Sequence, residues 1–160
     1  MKGIGNSDRR QKVADRQIDH VGVPLWRAST EFTRRMIESV RNMGFEDISL
    51  ADSELFPYLD IEGTGLSELA ERKGVSRQAI HQSVHSLVKR GYLELIPDPD
   101  DARTRIARHS EKGLELLEAM QKVKKEIQND ALAALGPGKM KELTGMLEQL
   151  GDVFKAPSGD

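Results

Sequence analysis

The sequence predicts a mainly α fold with a small β-wing, an α+β winged helix-turn-helix framed by N- and C-terminal dimerisation helices. Three observations carry this. Leu66 to Gly113 reads as two short helices about a glycine turn, then two short strands about a charged loop. On both sides of that unit apolar residues recur every three or four positions, the spacing of a helix with one buried stripe. The chain of 160 residues has few aromatics and no Cys, which excludes disulfide frameworks and thiolate metal sites and leaves helix packing to hold the fold together.

Residues 1–16 are charged, carry Gly3, Gly5 and Asn6, and show no apolar stripe, so a flexible arm is expected. Residues 17–45 form the expected N-terminal dimerisation helix. Its stripe is Ile18, Val21, Leu25, Ala28, Phe32, Met36, Val40 and Met43, with Gly44 as terminator. Pro24 either kinks this helix or marks a late start. Residues 46–113 form the expected DNA-binding domain. It opens with a helical piece from Ser49 to Leu59, bent or ended early at Pro57, and a turn-rich link from Asp60 to Gly65. Thr64 to Leu66 is expected to add a small strand beside the wing.

Ser67 is the expected N-cap of the first short helix, because its hydroxyl can accept from a free N–H of the first turn. Gly74 supplies the positive φ that ends it. Ser76 caps the next helix, on which Ile80, Val84, Leu87 and Val88 face a core. The opposite arc carries Gln78, Gln82, His85 and Lys89, with Arg77 and His81 on its flank. Tyr92 to Ile96 and Thr104 to His109 are the expected wing strands about Pro97-Asp98-Pro99-Asp100-Asp101. Residues 114–155 hold the C-terminal dimerisation helices. Leu114, Leu117, Met120, Val123, Lys124 and Ile127 stripe the first, Gly136-Pro137-Gly138 breaks it near Leu135, and Met140, Leu143, Leu147, Leu150 and Phe154 stripe the second. Residues 156–160 are an expected flexible tail. Apolar stripes with little of their own domain to pack on predict a homodimer.

The formal net charge is −2, yet Arg72 to Arg108 holds eight bases and four acids, +4 locally, leaving −6 for the rest. A basic unit on an acidic body is the footprint of a specific binder of double-stranded DNA. Gln matches an adenine edge, and Arg matches guanine N7 and O6. Ser76, Arg77, Gln78, His81 and Gln82 are therefore candidates for base or phosphate contacts, with Lys89 and Arg105 on phosphates beside Arg72 and Lys73. Arg103 suits a narrow minor groove, and Asp101, two residues away, can hold its guanidinium. The competing readings are a solvated helix face and a plain hairpin salt bridge. No apolar run reaches membrane-span length and no secretory signal is visible, so the expected location is cytoplasmic with no membrane partner. No phosphate loop, nucleophile elbow or catalytic carboxylate frame is present, so neither enzyme activity nor a cofactor is expected.

Asp101-Ala102-Arg103, followed by Ser110-Glu111-Lys112-Gly113, resembles the wing signature of the MarR family of bacterial transcription regulators. Leu69-Ala70, Val75-Ser76 and Leu87-x-x-Arg90-Gly91-Tyr92 resemble that family's helix-turn-helix. The likeness spans Gly65 to about Met120. It implies a dimeric regulator, usually a repressor, whose first and last helices interdigitate while two winged units straddle a pseudo-palindromic site with half-sites about 34–36 Å apart. It also implies a small phenolic or other lipophilic anion as effector, with Trp26 and His20 as candidates to line its site. Two residues depart from the pattern: His109 stands where Leu is usual and Ser110 where Thr is usual. His109 is expected to be a packed, hydrogen-bonded core side chain, the alternative being one that leans towards DNA or a ligand. Two other functions stay open, a winged-helix module for protein–protein assembly and a metal-responsive regulator using His81 and His85.

Overall fold

The computed structural model describes residues 20–98 and 104–155. The expected arm and tail, the first residues of the N-terminal dimerisation helix, and Asp101 and Arg103 lie outside the described residues. The elements in order are α1 (Gly22–Asn42), α2 (Leu50–Ser53), a 3-10 turn (Phe56–Tyr58), β1 (Thr64–Gly65), α3 (Leu66–Lys73), α4 (Arg77–Lys89), β2 (Leu93–Pro97), β3 (Arg105–His109) and α5 (Glu111–Lys155). The chain divides into two units, Met1–Thr33 and Arg34–Asp160.

Pro24 sits in the first turn of α1, where its missing N–H costs nothing, so it marks a late start and not a kink. In α1 only Met36, Ile37 and Val40 are buried, while Val21, Phe32 and Met43 of the predicted stripe are exposed. Ser49 caps α2 in a reciprocal box with Asp52. Pro57 falls in the first turn of the 3-10 segment, so the predicted helix to Leu59 ends early in a tighter turn. Ser67 is not the cap of α3. Thr64 and Gly65 pair antiparallel with Ala107 and Ile106, and Gly65 passes directly into the helix as its N-cap. Strand pairing fixes that backbone two residues earlier than the hydroxyl signal implied. Gly74 takes φ 70° and ψ 35°, as expected for the turn.

The sheet order is β1-β3-β2, with Leu93 opposite His109 and Pro97 opposite Arg105. The core gathers Val40, Ile48, Leu55, Leu69, Ile80, Val84, Leu87, Tyr92, Ala107, Leu116 and Val123 about this sheet and the helix-turn-helix. On α5 the predicted face holds for Met120 and Val123, which are buried, and for Leu117 and Ile127, which pack against the core; Gly113 and Leu116 join it, whereas Leu114 and Lys124 are exposed. At the start of α5 Gly113 lies so close to the Tyr92 carbonyl that a Cβ there would overlap it. Gly136 (φ 76°, ψ 161°) breaks α5 in two, as the Gly-Pro-Gly signal predicts.

His109 is 4 % exposed and packs on the Phe56 ring, with centroids 5.9 Å apart. It is packed as expected, but its Nδ1 is buried with no hydrogen-bond partner. Burial without a partner pushes the imidazole below its ordinary value, so the folded state favours the neutral form. The unfolded chain then binds more protons, and stability falls as pH drops below about 6.5. His109→Leu should therefore stabilise the protein by about 1–2 kcal/mol at neutral pH, by removing an unsatisfied buried nitrogen. It should also flatten the acid limb between about pH 6.5 and 5. Urea titrations at several pH values measure both, and an unchanged acid limb would show that His109 titrates normally.

Candidate nucleic-acid interface

The helix-turn-helix presents α4 outward. Ser76 Oγ accepts from Ala79 N at 3.2 Å, which caps the helix as expected. The first N–H groups of α4 are thereby left at an exposed end suited to an anion. Ile80, Val84 and Leu87 seat the inner face in the core. Ser76, Arg77, Gln78, His81, Gln82, His85 and Lys89 are all exposed. The helix contains no acidic residue. His81 and His85 stack with ring centroids 6.4 Å apart and planes at 28°. Among the described residues no group of three or more His, Asp or Glu is placed to hold a metal ion.

The wing brings Arg105 to an exposed position on β3. Asp98 N donates to Thr104 O at 3.0 Å, which joins the two wing strands at their described ends. Across the wing strands Arg108 and Glu94 face each other in register and pair at 2.6 Å. Arg72 and Lys73, counted among the expected phosphate-binding cations, form ion pairs within the fold. Arg72 pairs with Asp60 at 3.0 Å and Glu68 at 2.5 Å, and Lys73 pairs with Glu54 at 3.2 Å. Arg77, Lys89 and Arg105 make no ion pair among the described residues and are the cations open to a phosphate.

Sequence reasoning missed the polar junction at the far end of α4. Arg90 donates to both oxygens of Asp52, at 2.9 and 2.6 Å, and to the Asp47 carbonyl at 2.7 Å. Tyr92 Oη donates to the Asp47 carboxylate at 2.5 Å, which holds that carboxyl below the usual range. Lys112 Nζ donates to the Arg90 carbonyl at 3.0 Å and lies 4.0 Å above the Tyr92 ring. This junction ties the C-terminal end of α4 to α2, to the wing and to the first turn of α5. The capping box Ser49-x-x-Asp52 is a local signal for part of it, but nothing local marks Arg90 as its partner.

His20 and Trp26, the candidate effector-lining residues, are both exposed, Trp26 by 68 %. His20 Nδ1 accepts from Gly22 N at 3.2 Å at the start of α1.

Residues 61–104, the link, helix-turn-helix and first wing strand, match the MarR family model. No curated protein matches the chain. Solved structures that share its fold include the following three. RV1404 from Mycobacterium tuberculosis aligns with TM-score 0.68 at 18 % identity, covering 90 % of this chain and 98 % of its own. Wild-type MarR from E. coli, in its apo form, aligns with TM-score 0.64 at 19 % identity, covering 84 % and 98 %. The transcriptional repressor CouR, bound to a 23-mer DNA duplex, aligns with TM-score 0.64 at 21 % identity, covering 83 % and 93 %. Residues 61–104 thus carry the MarR family's winged-helix signature, on a chain that has the fold of MarR-family transcription regulators.

Proposed function

We propose that the chain is a homodimeric, sequence-specific DNA-binding regulator that represses from a pseudo-palindromic site and is released by a small lipophilic aromatic anion. The observation that carries this reading is the outward face of α4, exposed, capped and free of acids. Its first two turns fit the major groove, with Gln78 and Gln82 offering amide pairs to base edges. Arg77, Lys89 and Arg105 supply phosphate contacts that position the unit without reading sequence. Arg103 reaches the minor groove with Asp101 holding its fork. The dimer rests on the apolar residues left exposed on the terminal helices, Val23 and Trp26 on α1 and Leu143, Leu147, Val153 and Phe154 on α5. The CouR complex with duplex DNA supports the mode of action.

The test starts from a duplex enriched by repeated selection from a random pool. Fluorescence anisotropy should show tight, salt-sensitive binding to it over scrambled DNA. Gln82→Ala should lose about 1–3 kcal/mol of that discrimination, and Arg103→Ala about 1–3 kcal/mol of affinity. Light scattering at micromolar concentration should give a dimer mass, and lipophilic aromatic anions added to the complex should release it. Equal weak binding to both duplexes would leave only electrostatic attraction and put protein–protein assembly in first place.

A further inference from the structure

The outward surface of α4 carries two different rows. Gln78 and Gln82 lie almost diametrically opposite the buried Ile80, Val84 and Leu87 at 100° per residue. Arg77, His81, His85 and Lys89 form a second row with a step of four, each member advancing about 40° and about 6 Å along the axis. That row begins beside the core at Arg77 and ends pointing outward at Lys89. At the N-terminal end, where a recognition helix sits deepest in the groove, a flank position faces the groove wall. At the C-terminal end, where the helix leaves, an outward position faces the rim. Docked in this way, every member of the row would meet the sugar-phosphate edge, while the amides would face the base edges.

Resting on the DNA-binding reading above, we propose that the row Arg77-His81-His85-Lys89 tracks the phosphate backbone while Gln78 and Gln82 read bases, which makes duplex affinity proton-linked through the two imidazoles. Imidazole is the side chain whose charge ordinarily changes between about pH 5 and 8. His81 and His85 are exposed, stacked with centroids 6.4 Å apart, and set between two permanent cations of the same row. Among the described residues neither has an ionic partner. From α3, Glu68 and Glu71 line the shallow depression at Arg77, and Glu68 is tied to Arg72. A line of phosphates along the row favours the charged form of both rings, so binding takes up as many as two protons per protomer. Each proton taken up contributes up to about tenfold in affinity per pH unit. Because phosphates carry no sequence information, the gain falls equally on specific and non-specific duplex.

The experiment is anisotropy with the selected and the scrambled duplex at pH 6, 7 and 8 and at three salt concentrations, with circular dichroism confirming the folded state at each pH. Wild type should bind both duplexes several-fold more tightly per pH unit of acidification, with a salt slope steeper at pH 6 than at pH 8. His81→Gln/His85→Gln should lose the pH dependence on both, and Gln82→Ala should keep it while losing selectivity. Persistence of the wild-type pH slope in the double variant would place the titrating groups elsewhere, at His20 or the buried His109, and overturn the proposal. A gain confined to the selected duplex would do the same, since it would make the imidazoles base readers. Selective binding with no pH dependence sinks this inference alone, whereas absence of selective binding at every pH takes down the DNA-binding reading with it.

Discussion

Gly113→Ala is expected to destabilise the protein by about 3 kcal/mol or more, although alanine is the better helix former by about 1 kcal/mol. Gly113 is the third residue of α5. A Cβ at that position would overlap the Tyr92 carbonyl oxygen and stand 3.2 Å from its carbonyl carbon and 3.4 Å from His109 Cβ. The obstacle is backbone, and it is held from several sides. Tyr92 is fully buried, its N–H donates to Leu87 O at 2.9 Å, and its carbonyl accepts from Ser110 N at 3.1 Å. Its phenol is bonded to Asp47. Relief requires moving the first turn of α5 away from the wing, which uncovers Leu116 and the sheet. Urea unfolding of the variant measures the loss. A variant as stable as wild type, or more stable by the propensity difference, would show that this junction is loose.

Much of the winged unit was legible because its signals are local. Gly74 and Ser76 announce the turn and the second cap, and Ile80, Val84 and Leu87 announce the buried stripe, each within a few residues. The strands β2 and β3 fell within one residue of expectation for the same reason. What failed was set by contacts far apart in the chain. Ser67 has the right chemistry for a cap, but pairing of Thr64 and Gly65 with β3, some forty residues on, decided where α3 begins. The α5 stripe departs from expectation at its start, where Leu114 is exposed and Gly113 takes the buried place beside Tyr92. Charge counting could not see that Asp60 and Glu54 stand beside Arg72 and Lys73. The polar candidates of α4 were read correctly as an exposed face, since an outward arc follows from the position of the inward one.

Arg90→Met is expected to cost about 3 kcal/mol at neutral pH, with a deficit that shrinks on acidification. Arg90 and Asp52 are 22 % and 11 % exposed, a pair largely withdrawn from water. Replacing both partners by apolar groups of similar size can be nearly neutral, whereas removing one leaves a buried charge and typically costs about 3–5 kcal/mol. Burial works to raise the Asp52 carboxyl, but hydrogen bonds from Arg90 and Ser49 outweigh it and hold the group below the ordinary range. In wild type the contribution of Asp52 is therefore present above about pH 4 and lost as pH falls through its lowered native value. Without Arg90 only the Ser49 bonds oppose burial, and the carboxyl rises. Protonation then removes the uncompensated charge, so the variant and wild type converge between pH 7 and about 5. Asp52→Leu/Arg90→Met should recover part of the loss at pH 7, which separates an orphaned charge from lost packing of the arginine stem. Urea titrations of the three proteins at both pH values read this directly, and a loss below about 1 kcal/mol with no convergence would mean that the pair is effectively solvated. Because Arg90 also holds the Asp47 carbonyl, the single variant frees the end of α4 that the junction fixes, and with it the angle at which Gln78 and Gln82 are presented.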